Sequence, residues 1–129
     1  MSTAVKKKRP VYINLLKIRL PLPGIISILH RVSGAGLFLI LPLLLCVLGG
    51  SLESQSSYDV IHGWISQPFA KLFFSALAWG YLHHFCAGIR YLLLDVHCGI
   101  NLKSARASSV IVLVVSLLLT FWVWYRIWL

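Results

Sequence analysis

The chain has 129 residues, 59% of them hydrophobic and only 12% charged, with 12 Lys and Arg against three Asp and Glu. That length holds one domain rather than two, and so small a charged fraction excludes an ordinary water-soluble domain. The formal net charge of +9 is concentrated at the N-terminus and in one loop, which argues for a membrane orientation signal and against a nucleic-acid surface.

In chain order, residues 1–20 read as a basic arm. Lys6, Lys7, Lys8, Arg9, Lys17 and Arg19 all precede the first apolar run. From Arg9 and Pro10 to Leu20 the chain reads as extended or interfacial. Pro21 and Pro23 mark a helix entry, since proline is tolerated in a first turn. The first span is expected over about 22–50. It is too long for a signal peptide and no small-residue cleavage site ends it. Pro42 is placed to kink it, and Gly49, Gly50 and the SLESQSS run to end it. Tyr58 to Ser66 reads as a short interfacial helix with Val60, Ile61, Trp64 and Ile65 toward lipid.

Gln67 and Pro68 open a second span over about 68–96, a short loop covers 97–106, and a third span runs over about 107–128. Each is long enough to cross a hydrocarbon core of about 30 Å at about 1.5 Å per residue. The expected fold is an all-α membrane protein in which residues 21–129 form a three-helix transmembrane anchor, part of a larger helix bundle with a partner anchor. Lys103 and Arg106 in the second loop, with the basic arm, make that loop and the N-terminus cytoplasmic by the positive-inside rule. Glu53, Asp59 and the C-terminus then face the other side. Trp64, Trp122, Trp124, Tyr125 and Trp128 fit an aromatic belt there. Cys46, Cys86 and Cys98 contain no C-x-x-C and are expected as free thiols. The N-terminus lacks the Arg- and Ser-rich leader of an organelle transit peptide, which favours a bacterial inner membrane.

Two polar groups interrupt the spans. In SILHRVSG, Ser27, His30 and Arg31 lie three and four residues apart and share one helix face, with Gly24 and Gly34 beside them. Arg31 is roughly 15 Å along the axis from Pro21, where a charge costs at least about 2.5–3.5 kcal/mol. The ordinary reading is a side chain reaching back to the headgroups; the sharper one is an anionic or polar ligand inside the bundle. In HHFCAGIRYLLLD, His84, Gly88, Tyr91 and Asp95 form one stripe, and His83, Ala87, Arg90 and Leu94 the next. A histidine one turn from a glycine suits haem: the imidazole can ligate iron and the missing side chain leaves room for the porphyrin. A hydrogen-bonded helix contact is the ordinary alternative. Without a C-x-x-C-H, any haem is non-covalent. The glycine favours His84 over His83, and His84 and Arg31 sit at similar depths in antiparallel spans, so the arginine could meet a haem propionate. His62 and His97 read as loop residues. Asp95 reads as a surface carboxylate paired with Arg90 or a loop lysine, or as a proton relay. No nucleophile–base pair, carboxylate dyad, phosphate loop or zinc spacing is present.

These motifs resemble the cytochrome b-type large membrane-anchor subunit of succinate dehydrogenase, respiratory Complex II. The likeness covers nearly the whole chain. It rests on RPVYINLLKIRLPLPGIISILHRVS, residues 9–33, with Ser27, His30, Arg31 and Ser33 at the family's spacings, and on His84, Gly88, Ile89, Arg90 and Asp95 in the second span. Tyr91 and Leu94 depart from the family's usual His or Phe and usual larger side chain. The resemblance implies that His84 is one axial ligand of haem b, the other coming from a smaller anchor subunit. It implies that Ser27 and Arg31 line the ubiquinone site and that His30 and Arg31 lie by the haem propionates. The implied partners are that smaller anchor, an iron–sulfur subunit and a flavoprotein that oxidises succinate, with no catalysis by this chain alone. Other readings are an anchor for a fumarate reductase, a haem-free structural anchor, and a proton-conducting or transport subunit using His84, Arg31 and Asp95. Against the last stands the lack of an inverted repeat.

Overall fold

The computed structural model describes residues 18–129 and holds four helices. Lys6 to Arg9 and Lys17 of the basic arm, and most of the expected interfacial segment, lie outside the described residues. Helix α1 spans Leu22–Glu53, α2 Gln55–Ile65, α3 Pro68–Asp95 and α4 Leu102–Trp128. Three of these, α1, α3 and α4, are long and apolar enough to cross a membrane.

Proline sets the entry of α1. Pro21 is extended at φ −66° and ψ 154°, and its carbonyl accepts from the Gly24 amide at 2.8 Å. Pro23 then sits in the first turn, where its missing N–H breaks no helical bond. The helix runs on through Pro42, Gly49 and Gly50 to Glu53, three residues beyond the expected end. Ser54 stops it by turning extended, at φ −160° and ψ 164°, and its Oγ accepts from the Ser57 amide at 3.1 Å to cap α2. Neither Gly49 nor Gly50 ends the helix, and Gly50 serves packing. A Cβ on Gly50 would lie 3.0 Å from Ile61 Cδ1, so the glycine admits α2 against α1.

Helix α2 begins earlier than expected and takes in His62, which is helical and stacks on Tyr58 at 5.7 Å rather than lying in a loop. Of its four apolar residues, Val60 and Trp64 are exposed, while Ile61 and Ile65 are half-buried. All four face a cavity of about 360 Å³ shared with α1 and α3, so the helix packs back on the bundle and does not simply face lipid.

A tight exit from α3 explains the early start of α4. Cys98 N–H donates to Leu93 O at 2.9 Å and His97 N–H to Leu94 O at 3.0 Å, with His97 left-handed at φ 62°. That is the Schellman closure. Asn101 then caps α4, its Oδ1 accepting from the Ser104 amide at 2.8 Å. The helix therefore starts at Leu102, five residues ahead of the sequence expectation, and only 96–101 remain as a turn.

The tightest packing lies between α3 and α4. His83, Ala87 and Arg90 from α3 are buried with Ser109, Val112 and Ser116 from α4, and Ile26 of α1 joins Ala87 and Val112 in the core. Small side chains let helix backbones approach closely where lipid offers no hydrophobic drive. The seam hydroxyls bond back along their own helix, Ser109 to Ala105 O at 2.7 Å and Ser116 to Leu113 O at 3.1 Å. At the far end Lys71 Nζ lies 5.8 Å over the Trp128 ring. Large apolar residues such as Phe38 and Leu39 point outward. Trp122, Trp124, Tyr125 and Trp128 are exposed at the end of α4, and all three cysteines are free thiols. Ala87→Leu would overfill the seam at a fully buried position. The expected cost is about 1–3 kcal/mol, read as a lower thermal midpoint of the purified complex, and an unchanged midpoint would contradict this packing.

Candidate functional site

The two polar groups of the spans meet where α1 crosses α3. His30 and His84 stack with ring centroids 4.2 Å apart and planes 7° from parallel. His84 Nδ1 lies 3.0 Å from the His30 carbonyl oxygen and 3.3 Å from Ser33 Oγ. A carbonyl only accepts, so Nδ1 carries the proton and donates. In the tautomer this requires of an uncharged ring, Nε2 is the bare nitrogen, and it makes no hydrogen bond among the described residues. The Ser33 hydroxyl also donates to the His30 carbonyl, at 3.0 Å.

Glycine makes this contact possible. A Cβ on Gly34 would stand 2.7 Å from His84 Cε1 and 3.2 Å from Nδ1, so the imidazole occupies the space a side chain would fill. Gly88, which the sequence pointed to as the open position beside His84, instead faces His30, with Nε2 3.7 Å from where its Cβ would be. The Tyr91 ring lies 5.1 Å from that of His30, and its buried hydroxyl has no partner among the described residues.

The remaining site residues fall on both sides of this contact. Ser27 is half-buried one turn before His30, and Arg31 is exposed beside it. Neither side chain hydrogen-bonds among the described residues, so both are open to a ligand. Asp95 is exposed at the last residue of α3. It does not hold Arg90, whose Nε donates to Ser108 Oγ at 2.9 Å and whose Nη2 donates to Ala105 O at 3.4 Å. The buried face of α3 and its length turn the guanidinium toward α4, while Asp95 points away. His83 faces away from His84. It is fully buried, 5.6 Å from the Trp79 ring, and neither of its ring nitrogens has a partner.

Helix spacing separates His83 from His84, and the structure keeps them apart: His83 is fully buried and unpartnered while His84 meets α1. Spacing missed the backbone acceptor at His30 and the side-chain role of Ser33, because a main-chain carbonyl freed for a neighbouring helix leaves no mark in a residue pattern.

Residues 5–123 match the family described as succinate dehydrogenase/fumarate reductase transmembrane subunit. The chain belongs to that family. It is 35% identical over 127 residues to the succinate dehydrogenase cytochrome b556 subunit of Coxiella burnetii, covering 91% of this chain and 98% of that protein. The protein of the same name from Rickettsia felis is 30% identical over 120 residues, covering 93% of this chain and 94% of its own length. That from Paracoccus denitrificans is 27% identical over 113 residues, with 84% of each chain covered.

The geometry of His84 fits an iron-bound histidine of such a subunit. Metal-bound histidines typically donate their second ring nitrogen to a carbonyl or carboxylate, which fixes the tautomer and aims the ring. His84 does this through Nδ1. Gly34→Ala would force the imidazole off its seat, at the cost of about one hydrogen bond, or roughly 1 kcal/mol. Alanine's higher helix propensity returns about as much, so global stability should hardly change. A cryo-EM structure of the variant complex should show His84 displaced and its bond to His30 lost; an unmoved ring would contradict the tight fit.

Proposed function

We propose that this chain is the haem b- and ubiquinone-binding anchor of a succinate:ubiquinone oxidoreductase, helping to pass electrons from succinate to ubiquinone. The family and the names of the relatives support an anchoring role in succinate dehydrogenase. The observation that carries the haem assignment is the imidazole of His84, seated on Gly34 with Nδ1 tied to the His30 carbonyl and Nε2 bare.

Haem b bound here would supply a one-electron carrier within the bilayer. His84 would hold the iron through Nε2, and a smaller anchor subunit would supply a second ligand. His30 and Arg31 would meet the propionates. Two anionic carboxylates would offset the cost of a cation at this depth. The flavoprotein and iron–sulfur subunits would do the succinate chemistry, and this chain alone would catalyse nothing.

Reduction of ubiquinone takes two electrons and two protons, and its oxygens gain negative charge ahead of each proton. Arg31 is placed to stabilise that charge and Ser27 to hydrogen-bond a quinone oxygen. Fixed donors count for more in a water-poor site than in water. Asp95, exposed where α3 ends, could hand protons inward. The basic arm and Lys103 and Arg106 support a bacterial inner-membrane orientation with the N-terminus and the α3–α4 turn in the cytoplasm. An anchor for fumarate reductase falls within the same family description, and the names of the relatives favour the succinate direction.

Arg31→Leu should lower quinone reduction roughly ten- to a hundredfold, the worth of a charged hydrogen bond. Succinate oxidation by an artificial acceptor should be largely intact. Parallel loss of both activities would mean that assembly had failed, and retention of both would remove Arg31 from the site.

A further inference from the structure

Arg90 is a cation in a membrane-spanning helix with nothing anionic beside it. It is 6% exposed, and its two hydrogen bonds go to a neutral hydroxyl and a neutral carbonyl. The chain has only three carboxylate side chains, at Glu53, Asp59 and Asp95. The first two lie at the opposite end of the bundle, in the last turn of α1 and in α2, and Asp95 is exposed on another side of α3. A buried charge without a counter-charge is strongly disfavoured, more so in a bilayer. The guanidinium also keeps N–H donors that no oxygen of the described residues accepts.

Arg90 lines a cavity of about 350 Å³ between α3 and α4. Cys86, Ile89 and Leu93 run along its α3 wall at spacings of three and four, and Ser104, Ser108 and Ile111 along its α4 wall. The groove is thus polar at the α3–α4 turn and apolar toward the middle of the span. Arg90 is five residues from the end of α3, or about 8 Å inside it, near the level where headgroups meet acyl chains. Lys103 and Arg106 are exposed at the same end of the bundle, and α4 begins there, adding the positive end of a long helix. Basic pockets between membrane helices suit anionic lipid headgroups.

We propose that this groove binds one anionic phospholipid, its phosphate on Arg90 and Ser104 and an acyl chain along Ile89, Cys86 and Ile111. The lipid supplies the charge that the chain lacks. The site lies on the α4 side of α3, away from His84, and stands independently of the haem and quinone assignments.

Cys98 is a native reporter, being exposed and on the lining of the groove. The test is the rate of maleimide labelling of Cys98, followed by peptide mass spectrometry, in the purified complex after detergent delipidation. Phosphatidylglycerol should slow labelling several-fold, and phosphatidylcholine or inorganic phosphate should not. Arg90→Gln should abolish the difference between the two lipids. Equal protection by phosphatidylcholine would reduce the groove to ordinary boundary lipid. Protection by phosphate alone would make it a free-anion site, and no labelling even after delipidation would mean that a partner subunit fills it. Each of these overturns the proposal, and the lipid comparison decides it on the wild-type complex even where Arg90→Gln does not assemble.

Discussion

The hydrogen bond from His84 Nδ1 to the His30 carbonyl, 3.0 Å long, is the contact on which the site depends. It sets the tautomer of His84 and aims Nε2. It also ties α1 to α3 at a level where water offers no substitute partner. It can form only because Gly34 leaves its face empty, and the stacked ring of His30 holds the imidazole from one side. Ser27 and Arg31 take their positions from the same turn of α1. If the bond were lost, Nε2 of His84 and the arginine would lose their fixed relation together.

Helix α3 carries different chemistry on its two sides. Toward α1 it presents His84, Gly88 and Tyr91, with polar atoms left available. Toward α4 it presents His83, Ala87 and Arg90, sealed against serines that are already satisfied by their own helix. The two in-span arginines follow this division. Arg31 is exposed and unengaged among the described residues, as a ligand contact needs, whereas Arg90 is buried and braced by Ser108. One helix thereby presents a half-buried polar face and a fully buried face from residues that are adjacent in sequence.

Much of this was legible in the residues, and the misses have physical causes. Apolar length and proline placement located the three spans, and helix periodicity put His83 and His84 on different faces. Ends set by single side chains were less visible. The α4 start depends on the cap of Asn101, and the end of α1 on Ser54, neither of which changes hydropathy much. Glycine was legible only in part: Gly50 looked like a helix stop and is a place where a side chain of another helix approaches. The Arg90–Asp95 pairing failed because five residues on a helix turn the two side chains apart. Sequence proximity suggested a bond that helix geometry does not make.

Reduced-minus-oxidised optical spectra of the assembled complex carrying His84→Leu or His83→Leu test the role of His84 most directly. A b-type haem band that is lost or shifted in His84→Leu and kept in His83→Leu is the expected result, since His84 has its ring held through Nδ1 and leaves Nε2 without a partner among the described residues, whereas neither nitrogen of His83 is held. A band untouched by His84→Leu, or removed by His83→Leu alone, would contradict the assignment and with it the role given to the His30 carbonyl.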